Sequence, residues 1–140
     1  MNRMDPSPPL SPPTAATDAK VRVFVVDDHE LMRRSMVAAL ERESDLIVCG
    51  QAGDAPEAIV AIADCRPDLV ITDIQLKSSS GLDIIKALRA RLPALPIVAV
   101  TMFNVQHYSQ LAREAGASAF AAKDGPEQLI VAVRQALGHS

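Results

Sequence analysis

Leu69-Val70-Ile71 runs without a polar break into Thr72-Asp73, and stretches of helical period lie on both sides of it. No other feature constrains the fold as strongly. A continuous apolar run of strand length between helical segments is the mark of a strand buried on both faces, hence of a parallel sheet covered by helices above and below. Similar runs recur, and the pattern predicts strands over 21–26, 46–51, 68–72, 97–100 and 119–122. Between and after them it predicts helices over 30–42, 55–65, 82–91, 105–115 and 126–137. Single helices between successive strands imply right-handed crossovers in one parallel sheet.

Local punctuation supports these limits. Asp28 or His29 stands near the cap of the first helix, whose apolar residues include Leu31, Val37 and Leu40. Asp54-Ala55-Pro56-Glu57 reads as a capping box with Pro in the first turn. Ile84, Ile85 and Leu88 point the third helix inward, and Pro67 and Pro93 stop the helices before them. Asn104 is expected to cap the fourth helix, Gly116 to close it, and Pro126 to open the fifth.

Residues 1–19 have another character. Five of the ten prolines fall between Pro6 and Pro13, among Ser, Thr and Ala. Such a segment buries too little apolar surface to offset its ordering entropy, so a disordered tail is expected. Pro8-Pro9-Leu10-Ser11-Pro12-Pro13 also suits an aromatic-lined groove. One domain is expected over 20–138.

Charge narrows the partners. Fourteen Lys and Arg stand against 17 Asp and Glu, for a net charge of −3, which lacks the basic excess of a nucleic-acid binder. Cys49 and Cys65 read as small core hydrophobes in a reducing, cytoplasmic setting. No apolar run approaches the ~20 residues that cross a bilayer, and no apolar N-terminal segment suggests a signal peptide.

Four of the five expected strands deliver a polar group just past their last apolar residue: Asp27 and Asp28, then Asp73, Thr101 and Lys123. In an open α/β sheet, ligands sit at the carboxyl ends of the strands. Three carboxylates there raise one another's pKa unless a cation neutralises them. An all-oxygen site with room for water suits Mg²⁺. Thr101 and Lys123 then suit phosphoryl oxygens, and Asp73 is a nucleophile able to form an acyl-phosphate. The blander alternatives are a helix cap for Asp27-Asp28, a strand-end hydroxyl for Thr101 and a solvated lysine for Lys123. His29, His107 and His139 have no metal-site spacing and read as surface residues, and Tyr108 as a weakly indicated partner contact.

Taken together, Asp27-Asp28-His29, Asp73 with Gly81 eight positions on, Thr101, and Phe120 three residues before Lys123 resemble the receiver domain of two-component response regulators. Asp27-Asp28-His29-Glu30-Leu31-Met32-Arg33 and Ala122-Lys123-Asp124 with Pro126-Glu127 look most like the NarL/FixJ-type branch. The resemblance implies a flavodoxin-like, doubly wound (βα)5 fold with strand order 2-1-3-4-5. It implies that Asp73 accepts a phosphoryl group from a histidine kinase or phosphotransfer protein. Asp28, Asp73 and the backbone carbonyl of Gln75 would bind Mg²⁺, with Asp27 helping through water. Thr101 and Lys123 would contact the phosphoryl group, and Thr101 and Phe120 would form the switch. The surface of helix four, strand five and helix five would carry the signal to a protein target or to a second copy. Gln75 and Phe103 occupy the positions that tune hydrolysis in the family, and the ring of Phe103 would shield the acyl-phosphate.

The sequence departs from the family at Lys77, where proline is usual, which with Ser78-Ser79-Ser80 predicts a looser loop. It also has one residue fewer between Lys123 and Pro126. The branch usually carries a helix-turn-helix domain after helix five; the sequence stops at Ser140, so no direct nucleic-acid contact is expected from it. The competing readings are the receiver portion of a DNA-binding regulator, a phosphorylation-independent binding module, and a phosphatase on a similar sheet. Gln75 stands where such phosphatases place a second Asp, which argues against enzymatic turnover of an external substrate.

Overall fold

The computed structural model describes residues 20–76, 79–102 and 105–138. The expected tail, Lys77, Phe103, the Asn104 cap and His139 lie outside the described residues. Strands and helices alternate: β1 (Val21–Val26), α1 (Glu30–Glu41), β2 (Leu46–Ala52), α2 (Ala55–Cys65), β3 (Leu69–Asp73), α3 (Gly81–Arg91), β4 (Ile97–Thr101), α4 (Val105–Ala115), β5 (Ala119–Ala122) and α5 (Pro126–Ala136). The strands form one parallel sheet in the order β2-β1-β3-β4-β5.

The apolar runs are continuous because both sheet faces are covered. Phe24, Val26, Val70, Ile97 and Ala99 pack with Ile62, Ile84, Ile85 and Leu88 on one face. Val23, Val25, Leu69, Ile71, Val98 and Val100 pack with Met36, Leu40, Leu129 and Val133 on the other. Ile84 and Ile85 are fully buried, worth about 1.5–3 kcal/mol each against exposure. Leu129 and Val133 of α5 are core residues. Leu31 is the reverse case, 80% exposed. With about 3.6 residues per turn it falls on the side of α1 opposite Leu40, and Met36 and Ala39 complete the buried stripe instead.

The helix ends follow their sequence signals closely. The Asp54 carboxylate accepts from the Glu57 N–H at 3.1 Å, while Glu57 accepts from Gly53 N–H at 3.1 Å, one residue beyond the ideal box. Arg66 ends α2 in the left-handed region (φ 52°), directly before Pro67. Gly116 ends α4 at φ +116°, where Gly116 and Ala117 N–H groups both reach the Ala112 carbonyl.

The β1/β2 pairing is irregular. Val23 pairs with Val48 and Phe24 with Gly50, which leaves Cys49 as the extra residue of a bulge. Gly50 is required beneath the Phe24 ring, since a Cβ there would lie 2.7 Å from it.

Candidate functional site

Adjacent parallel strands bring their carboxyl ends to one edge. Val26 pairs with Thr72, so the next residues, Asp27 and Asp73, emerge side by side between β1 and β3. Both are buried, at 0% and 3% exposure. Lys123 arrives from the far side, after the Lys123 N–H donates to the Thr101 carbonyl at 2.8 Å. Its Nζ donates to Asp27 Oδ2 at 2.7 Å and to Asp73 Oδ2 at 2.8 Å. The lysine side chain is 3% exposed, and its ammonium offsets one of the two carboxylate charges.

Each carboxylate is held from a second direction. The other oxygen of Asp27 accepts from the His29 N–H at 2.9 Å, and Arg33 donates to the Asp27 carbonyl at 2.7 Å. The α1 N-cap is His29, whose side chain makes no capping bond. Asp73 Oδ1 accepts from the Gln75 N–H at 3.0 Å. Asp28 lies beside them, with its Oδ1 3.2 Å from His29 Nδ1. One ligand atom from each of Asp27, Asp28, His29 and Asp73 lies within 4.8 Å of the others. His29, Asp73, Gln75, Met102 and Lys123 line a cleft of about 270 Å³ over this group.

The Asp73 carboxyl is held above its usual range. Burial is the main cause, and proximity to Asp27 a lesser one; the Lys123 and Gln75 hydrogen bonds pull the other way. Mutual repulsion, the cause expected from sequence, is thus secondary, because Lys123 already stands between the carboxylates.

Gly81 has a steric reason. Its N–H donates to the Ile74 carbonyl at 2.8 Å, and a Cβ would lie 1.8 Å from the Asp73 carbonyl oxygen. Only glycine lets α3 start this close to the end of β3. Ser80 then caps α3 by accepting from the Leu82 N–H at 3.1 Å. Although Lys77 and Ser78 lie outside the described residues, the two ends of their loop are tied by a Gln75–Ser80 bridge.

Thr101 is fully buried, and its hydroxyl donates to Gln75 Oε1 at 3.1 Å. Gln75 Nε2 in turn donates to the Tyr108 hydroxyl at 3.4 Å. This chain links β4 to α4 through the residue two beyond Asp73. Sequence reasoning placed Thr101 and Gln75 near Asp73 but missed Tyr108 as their partner, for which no local signal exists. Phe120 is half-buried, set against the core on one side. On the other it lines a shallow cleft with Val105 and Val131, which are 40% and 55% exposed.

A parallel sheet of this order, with carboxylates on β1 and β3, a hydroxyl on β4 and a lysine after β5, defines a flavodoxin-like receiver fold. Residues 23–134 match the response regulator receiver domain family, and the chain belongs to it. It is a receiver domain of two-component signalling. It is 36% identical over 104 residues to the DNA-binding transcriptional activator DevR/DosR of Mycobacterium tuberculosis, covering 74% of this chain and 48% of that protein. A LuxR-family two-component response regulator from Aurantimonas sp. SI85-9A1 superposes with TM-score 0.81 at 30% identity, covering 86% of each chain. The signal receiver domain of NarL from Mycobacterium tuberculosis gives TM-score 0.78 at 30% identity, over 86% of this chain and 98% of that one. These relatives agree with the NarL/FixJ-type branch. The chain spans about half the length of the curated transcriptional regulators DevR/DosR and YxjL, which it matches. Among the described residues, no helix is long and apolar enough to cross a membrane.

Proposed function

We propose that residues 20–138 form a phosphoacceptor switch in which Asp73 takes a phosphoryl group from a sensor histidine kinase or a phosphotransfer protein in the cytoplasm. The observation that carries this reading is Lys123 Nζ, buried and bonded at once to Asp27 and Asp73. An Asp73 oxygen attacks phosphorus, the bond from phosphorus to the donor histidine nitrogen breaks, and an acyl-phosphate forms on the carboxyl group. Lys123 then turns from the carboxylates to the new phosphoryl oxygens.

Asp28, Asp73 and the Gln75 backbone carbonyl would hold Mg²⁺, with Asp27 acting through water. Carboxylate oxygens of Asp27, Asp28 and Asp73 that lie within 4.8 Å of one another are donors that suit this ion. When bound, Mg²⁺ supplies charge neutralisation between the carboxylates and the incoming phosphoryl group. Lys123 alone does not balance three carboxylates, which is why the acidic set fits a divalent cation.

The Thr101 hydroxyl is already committed to Gln75, so binding the phosphoryl group requires it to break that bond. Gln75 is then released from Thr101 while its side chain still reaches Tyr108 on α4. The Phe120 ring turns toward the space that Thr101 leaves. The α4/β5/α5 surface, with exposed Val105 and Val131 flanking Phe120, carries the change to a protein target or a second copy. Gln75 and Phe103 tune how long the phosphoryl group lasts. No external substrate is turned over. The DNA-binding relative supports a narrower version, the receiver portion of a transcription regulator, in which this part touches protein and not DNA.

The test is intact mass after incubation with acetyl phosphate and Mg²⁺. One phosphoryl group, absent without metal and absent in Asp73→Ala, is the expected result. No addition with any donor would overturn the reading and favour phosphorylation-independent binding.

A further inference from the structure

Cys49 and Cys65 are not isolated core hydrophobes. Both are half-buried free cysteines, and their sulfurs lie 2.7 Å apart, well inside ordinary non-bonded separation. Two elements are needed to produce this. The β2 bulge leaves Cys49 outside the regular β1/β2 pairing, on the face that packs against α2. Cys65 is the last residue of α2, just before the left-handed Arg66 turn. A cation also attends the pair: Arg22 Nη2 lies 3.5 Å from Cys65 Sγ and donates to the Cys65 carbonyl at 2.7 Å.

We propose that Cys49 and Cys65 are a modification site, an intramolecular dithiol that peroxide-class oxidants close reversibly into a disulfide. Cys65, the sulfur that the Arg22 guanidinium reaches, is the attacking one. Burial and the neighbouring thiol push the Cys49 thiol up to about 12, so it keeps its proton and serves as the second sulfur. In the first step the Cys65 sulfur attacks one peroxide oxygen. The O–O bond breaks, water (or an alcohol) leaves, and Cys65 becomes a sulfenic acid. In the second step Cys49 sulfur attacks Cys65 sulfur. The S–S bond forms, the S–O bond breaks, and a second water carries off the Cys49 proton. Two thiols lose two electrons in total, and the peroxide gains them. The product ties edge strand β2 to the end of α2 across a separation of 16 residues. Neither sulfur belongs to the Asp73 site, so the proposal stands apart from the phosphoryl reading.

The experiment treats the folded chain with hydrogen peroxide, then blocks free thiols with iodoacetamide and digests without reductant. Wild type is expected to lose about 2 Da, to take no alkyl groups, and to yield one Cys49–Cys65 linked peptide that dithiothreitol reverses. Its urea midpoint should rise on oxidation and fall back on reduction. Cys49→Ser and Cys65→Ser, run in parallel, should each instead accumulate oxygen adducts or alkylated thiol. Wild type that gives the same adducts as the single variants, or only disulfide-linked dimers, would overturn the proposal.

Discussion

The molecule contains two clusters in which one cation sits between two carboxylates, and they differ in almost every physical respect. At the carboxyl end of the sheet, Lys123 lies between Asp27 and Asp73, with all three side chains 4% exposed or less. On the flank, Arg134 of α5 holds Asp45 through two bonds of 2.6 and 2.9 Å and Glu43 at 3.0 Å, with side chains 23–48% exposed. The fork of Arg134 fits a carboxylate in a fixed bidentate geometry and pins the α1/β2 connection to α5. Its pKa is raised, chiefly by the Asp45 hydrogen bond. Lys123 is a compact point charge that can swing between acceptors. Burial makes its partners costly to leave unpaired and leaves Asp73 above its usual range. The exposed cluster is built to stay as it is. In the proposed switch, the buried one is the cluster that an incoming phosphoryl group or cation would disturb.

Substitutions separate the two clusters, and Lys123→Ala should have the largest effect. It leaves two facing buried carboxylates and should cost about 3–5 kcal/mol in metal-free urea unfolding. Mg²⁺ should raise the variant's midpoint more than wild type's, by filling the same gap. Equal loss from Lys123→Ala and Arg134→Ala would break the contrast.

Asp73→Asn should act in the opposite direction and more weakly. The folded pKa of Asp73 lies above its usual value of 3.8, so the folded chain keeps this proton to higher pH than the unfolded chain. Asp73 therefore lowers stability as pH rises from about 3.8 through the folded value, and the loss is complete above it. Metal-free denaturation with EDTA should find the Asn variant the more stable at neutral pH, with the advantage shrinking as pH falls through that window.

Arg134→Ala should cost below about 1 kcal/mol, since its partners are well solvated. Salt gives the finest distinction. Raising ionic strength from about 0.1 to about 1 M shortens screening from ~10 to ~3 Å. The Arg134→Ala difference should shrink by a few tenths of a kcal/mol, while the Lys123→Ala difference should hold. Equal salt sensitivity would show that the buried cluster is solvated after all.

Much of the scaffold was legible beforehand because its signals are local. Apolar runs, the Asp54 cap, Pro67, Pro93 and Gly116 placed element ends within a residue or so. Differences arose where a neighbour in space intervened. Leu31 fits an apolar pattern, yet α1 buries another stripe. Cys49 reads as a small core hydrophobe, but a bulge against β1 takes it out of register and sets it on Cys65. Gly81 was recognisable as a marker, while its reason, the approach of a Cβ to the Asp73 carbonyl, belongs to the β3–α3 packing.

By itself the sequence determined five βα units and the strand ends at which Asp27, Asp73, Thr101 and Lys123 stand, because periodicity and turn chemistry act over a few residues. Tertiary structure alone decided that Lys123 meets Asp27 across 96 residues, that Thr101 is held by Gln75, and that two thiols lie side by side. Those contacts depend on which strands become neighbours and in what register. That choice is made by the burial of both sheet faces at once, which no single stretch of chain encodes.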